Sequence, residues 1–60
     1  MAQDDGVYLQ FQRVGPVVKA TAIDPVTGTE VSVQGPASTP QAALGRLAVS
    51  KLKYVLSKKT

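Results

Sequence analysis

Residues 39–59 read TPQAALGRLAVSKLKYVLSKK, and the spacing of their apolar side chains decides the fold. Projected at about 100° per residue, Leu44, Ala48, Leu52 and Val55 make the centre of one apolar face. Val49 and Leu56 flank it on one side, Ala43, Leu47 and Tyr54 on the other. Arg46, Ser50, Lys53 and Ser57 fall opposite, as a surface helix requires. Thr39 stands just before Pro40, which suits a threonine N-cap with proline at the first helical position; Ser38 with Gln41 offers a capping box one residue earlier. The helix is expected over about 40–58. Gly45 falls in its middle, where a missing side chain lets a neighbour come close.

The chain upstream carries a different period. In residues 7–12, VYLQFQ, Val7, Leu9 and Phe11 alternate with Tyr8, Gln10 and Gln12, the period-2 signature of a half-buried strand. Arg13-Val14-Gly15-Pro16 reads as a turn. Residues 17–23, VVKATAI, place Val18, Ala20 and Ala22 on one face and Lys19 and Thr21 on the other. Asp24-Pro25-Val26-Thr27-Gly28 is a tight loop: the aspartate accepts bonds from following amides, proline presets φ, and glycine closes the turn left-handed. Residues 29–34, TEVSVQ, point Val31 and Val33 inward. Gly35-Pro36-Ala37-Ser38 then breaks the strand.

These readings agree in register. Pairing Phe11 with Val18, Leu9 with Ala20 and Val7 with Ala22, then Ala22 with Val31 and Ala20 with Val33, gathers the whole apolar set on one face of an antiparallel meander. The expected fold is α+β: three antiparallel strands, at about 7–13, 17–23 and 29–34, with one C-terminal helix packed on one face, a βββα domain over 7–59. Residues 1–6 are expected to be disordered, with Gly6 as the hinge into the domain.

Composition prunes the chemistry. Among 60 residues there is no histidine and no cysteine, so the commonest general base, the strongest neutral-pH nucleophile and every disulfide are excluded. The carboxylates are Asp4, Asp5, Asp24 and Glu30, and any acid–base pair would have to come from these four. No phosphate-binding glycine pattern accompanies Gly45-Arg46. The chain is therefore expected to be non-catalytic, with no metal and no cofactor. It has no apolar run of membrane-spanning length, and an acidic MAQDDG start, so it is expected in the cytoplasm, without a membrane partner.

So small a domain, with no disulfide or zinc to staple it, depends on tight packing or on association with another chain. The helix's apolar arc is wider than one small sheet needs. Leu47, Val49, Tyr54 and Leu56 are accordingly the candidate self-association residues, with a homodimer expected. The first strand, 7–12, free of proline and charge, offers a second route by edge pairing. A further protein partner is compatible with either surface.

The net charge is +3, and from residue 35 onward the chain carries Arg46, Lys51, Lys53, Lys58 and Lys59 with no acid. That asymmetry supplies the alternative reading, a small nucleic-acid-binding protein using the outer sheet face or the basic helix, with Arg13, Lys19, Lys51, Lys53, Lys58 and Lys59 as candidate contacts. It is the weaker of the two. Glu30 opposes phosphate on the sheet, Tyr54 is the sole aromatic near the helix lysines, and cations near a helix C-terminus are favoured by its dipole with no ligand at all.

The run DPVTGTEVSVQGPAS at 24–38, preceded by VYLQFQRVG and followed by KLKYVLSKK, resembles a family of small uncharacterised bacterial proteins of about this length, a domain of unknown function. The resemblance extends from Val7 to Lys59. It implies no activity.

Overall fold

The computed structural model describes residues 6–58. The disorder expected of residues 1–5 and the contact expected of Lys59 lie outside the described residues. Three strands, β1 (Tyr8–Val14), β2 (Val17–Ile23) and β3 (Glu30–Pro36), form an antiparallel sheet in the order β1-β2-β3, and helix α1 (Gln41–Lys58) follows. The architecture is βββα, of the α+β class, with the helix packed on one face of the sheet.

Register between β2 and β3 is the expected one, with Ala22 opposite Val31 and Ala20 opposite Val33. Between β1 and β2 it differs by two residues: Phe11 pairs with Ala20 and Leu9 with Ala22. The cause is Pro16. Turning on Val14-Gly15 would require Pro16 to donate the amide hydrogen that closes the loop, and proline has none. The chain instead turns on Gly15-Pro16, with Gly15 at φ 61° and Val14 opposite Val17, the arrangement of a two-residue loop with glycine at its first corner. A shift of two keeps every side chain on its face, so the core is the same set of residues.

β3 also runs further than expected, through Gly35 and Pro36. Asp24 N–H donates to Thr29 O at 2.8 Å and Ala37 N–H to Pro16 O at 2.8 Å. Even-numbered residues of the central strand thus bond toward β3, whose odd-numbered residues answer them. Pro36 is even-numbered, so its missing amide faces the free edge.

Helix α1 opens one residue later than a Thr39 cap would place it. The Pro40 carbonyl accepts from Ala43 (3.1 Å) and Leu44 (3.2 Å), which puts Pro40 itself at the cap position. The helix lies over β2 and β3. Ala20, Ala22 and Ala48 are completely buried, as are Leu44 and Leu52, with Val7 and Val18 closing the core. Three alanines at the contact let the helix backbone settle close to the central strand, and Val31, Val33, Val49 and Leu56 pack around it. Among the described residues no polar side chain is buried.

Candidate interaction surface

Placing the helix over β2 and β3 leaves β1 only partly covered. Leu9, on the inward face, remains 39 % exposed and Phe11 is half-buried. Between them and the near flank of α1 lies an open, mainly apolar groove, floored by Val7, Leu9 and Phe11 and walled on the helix side by Ala42, Gly45 and Val49, with Arg46 and Lys53 on its rim. Gly45 sets how closely the two walls approach. A methyl group there would stand 3.3 Å from Leu9 Cδ1 and 3.4 Å from Phe11 Cζ, closer than such groups comfortably pack.

Among the described residues, the same strand is an open sheet edge. Because Val14 and Val17 close the hairpin, alternation turns the even-numbered residues of β1 toward β2 and leaves the N–H and C=O groups of Leu9, Phe11 and Arg13 facing outward. Strand β1 contains no proline, and its one charge, Arg13, sits near the hairpin end with Nε donating to Gly15 O at 2.9 Å. The other edge is guarded. Along β3 the outward positions are Glu30, Ser32, Gln34 and Pro36; Lys51 reaches from the helix to the Ser32 carbonyl at 3.3 Å, Pro36 offers no donor, and Glu30 is charged, all devices that blunt an edge.

The four residues singled out for self-association separate into two pairs. Leu47 and Tyr54 are 58 % and 63 % exposed, and Leu47 borders the same groove as Val49. Val49 and Leu56 are half-buried against the core. The structure therefore does not bring all four to one surface. Lys58 Nζ lies 5.3 Å from the Tyr54 ring centroid, a cation–π contact on the exposed flank.

The candidate nucleic-acid contacts among the described residues likewise lie apart. Lys19 stands on the outer sheet face between Gln12 and Gln34, Arg13 folds against the hairpin turn, Lys51 covers the β3 edge, Lys58 sits over Tyr54, and Lys53 is on the rim of the groove. Arg46, which the helical projection assigned to the solvent side, proves to share that rim. The glycine at 45 was the available signal, since it marked where another element comes close to the helix.

A family model described as Domain of unknown function (DUF6898) matches residues 4–59. The chain belongs to that family. Neither a curated protein nor a solved structure matches it. What this DUF6898 domain offers a partner is thus read from its own surface: one guarded sheet edge, one open edge, and an apolar groove beside the open one. No helix among the described residues is long and apolar enough to cross a membrane.

Proposed function

We propose that the protein is a non-catalytic protein-interaction module that docks an extended segment on the open edge of β1, as a fourth strand. The observation that carries this reading is the contrast between the two edges: β3 is closed off by Lys51, Glu30 and Pro36, while the backbone of Leu9, Phe11 and Arg13 faces outward beside an apolar groove. Strand addition uses such an edge for affinity and the adjoining pocket for side-chain selection. The absence of histidine and cysteine from the chain supports the non-catalytic part. Two copies joined β1 to β1 about a two-fold axis are one form this docking can take, giving a homodimer with a continuous six-stranded sheet. We place the module in the bacterial cytoplasm.

Arg13→Pro tests the edge. The Arg13 amide faces away from β2, so proline there removes an outward donor without breaking the ladder. Wild-type protein at rising concentration should show either a mass above its 6.3 kDa by light scattering, or slowed amide exchange at Leu9, Phe11 and Arg13 when an added strand-forming peptide binds. Both should vanish in Arg13→Pro. Association or peptide binding that survives the substitution removes β1 as the docking edge.

A further inference from the structure

Strand β1 is the least covered of the three. Phe11 alone among its residues is half-buried and the rest are exposed, whereas β2 has no exposed residue and β3 alternates between half-buried and exposed. Tyr8 and Val14, at the two ends of its outer face, are each more than half exposed, and Leu9 on the inner face is open as well. The core that remains is small. Leu44 and Leu52 are the large side chains completely enclosed among the described residues, and the chain has no cysteine to staple it. A domain of this size is marginal alone, so whatever covers β1 has to be present wherever the chain is made. A second copy always is.

We propose that a second copy of this chain occupies the edge, β1 running antiparallel to β1 about a two-fold axis at Phe11. This rests on the edge-docking reading and names the partner and its register. The outward-facing backbone groups are those of Leu9, Phe11 and Arg13, evenly spaced about Phe11. With the axis there, Leu9 exchanges its two bonds with Arg13 of the other copy and Phe11 with Phe11, so each strand satisfies the other. Moving the axis to Gln10 would set Arg13 against Val7, which precedes the strand.

The side chains agree with this register. On the outer face Val14, Val17 and Pro36 form one cross-strand row and Tyr8, Ile23 and Glu30 another, with the polar rows Gln12, Lys19, Gln34 and Gln10, Thr21, Ser32 between them. Pairing about Phe11 sets Val14 against Tyr8 of the other copy, and Gln12 against Gln10. An apolar row then runs unbroken from Pro36 through Val17 and Val14 to Tyr8 and Ile23 of the other copy, and polar rows continue polar rows, the matching that stabilises cross-strand neighbours. On the inner face Phe11 meets Phe11 at the axis, and Leu9 lies opposite Arg13, whose guanidinium is already held by Gly15 O. The two Arg13 positions are about 14 Å apart along the ladder, beyond the screening length of physiological salt.

Because the chain has no cysteine of its own, introduced cysteines can report the register. Gln10 and Gln12 are exposed, and about the Phe11 axis they face each other as a non-hydrogen-bonded pair with Cα atoms about 4.5 Å apart, within disulfide reach. Two Gln10 positions would be about 8 Å apart, out of reach. Sedimentation of the full chain should give twice its 6.3 kDa mass, and the melting temperature should rise with concentration. On oxidation with glutathione, a mixture of Gln10→Cys and Gln12→Cys should yield linked dimer and either variant alone should not. Arg13→Pro, its folding checked by circular dichroism, should be monomeric. Linked dimer from Gln10→Cys alone overturns the axis at Phe11. A wild-type monomer that binds a labelled peptide of alternating threonine and valine, with binding lost in Arg13→Pro, overturns the second copy and leaves the edge reading standing. A monomer that binds no such peptide overturns both readings, as does a dimer that survives Arg13→Pro and gives no link in the cysteine mixture.

Discussion

The ammonium of Lys51 donates to the carbonyl oxygen of Ser32 at 3.3 Å, tying the helix to the free edge of β3. The carbonyl is one of the outward-facing groups of that edge, so the contact occupies an acceptor to which an incoming strand would bond. The asymmetry between the edges thus arises partly in the helix, through the side on which its lysine stands.

Replacing Lys51 with methionine keeps the aliphatic stem and deletes the donor. Stability should change by about 0.5 kcal/mol or less, because an exposed bond to a flexible side chain contributes little. Association should change more. With the β3 edge uncovered, light scattering at rising concentration should report larger species than the wild type forms. An unchanged size distribution would mean that Glu30 and Pro36 guard the edge without help.

Gly35 is needed for space, not for backbone conformation. A methyl group on it would stand 3.3 Å from Leu44 Cδ2 and 3.3 Å from Thr39 Oγ1, and Leu44 is 1 % exposed, held on all sides by the core. Gly35→Ala should therefore cost about 1–3 kcal/mol through overpacking, read as a lower urea midpoint at unchanged slope. A neutral result would show that Leu44 can swing aside, and that the helix is less tightly seated over β3 than its burial indicates.

Much of the fold could be read from period and turn chemistry, and the misses have physical causes. Strand alternation identified the inward residues from Val7 to Val33, since face depends only on parity, but missed Gly35, whose position in β3 faces Leu44; register did not follow, because it turned on which residue's amide closes the first loop, and Pro16 has none. Of the expected centre of the helix's apolar face, Leu44, Ala48 and Leu52 are buried, while Val55 is only half-buried. Its flanks were not ranked. A helical projection treats Leu47 and Val49 alike, whereas the sheet beneath covers Val49 and leaves Leu47 outside. Arg46 belonged to the groove for the same reason: only the position of the helix across the sheet, set by close alanine contacts over β2, brings that flank beside β1.

The loop between β2 and β3 depends on one carboxylate. Asp24 accepts from Val26 N–H at 3.2 Å and from Thr27 Oγ1 at 3.0 Å, while Gly28 N–H returns to its carbonyl at 2.8 Å and Gly28 holds φ at 77°. Asp24→Ala deletes both side-chain acceptors and should cost about 1–2 kcal/mol. Asp24→Asn keeps one amide oxygen for the Val26 amide and should cost roughly half as much. Equal losses from the two substitutions would assign the loop's stability to Pro25 and Gly28 instead.

Gly45→Ala sets a gain in helix propensity against a close contact. Alanine is favoured over glycine inside a helix by about 1 kcal/mol, and the added methyl group would press on Leu9 Cδ1 at 3.3 Å and Phe11 Cζ at 3.4 Å. These are the far ends of side chains bordering the open groove, Leu9 being 39 % exposed, so both can yield by the few tenths of an ångström required. Stability should stay level or rise by up to about 1 kcal/mol, opposite in sign to the alanine substitution at Gly35, where the neighbour is fully enclosed. The groove should change even so. Chemical shifts of the Leu9 methyls and the Phe11 ring should move, and affinity for a strand docked on β1 should fall as its apolar side chains lose depth beside them. A loss of stability larger than about 1 kcal/mol would mean that Leu9 and Phe11 are fixed in place, and that the groove is a rigid part of the core rather than an adaptable docking surface.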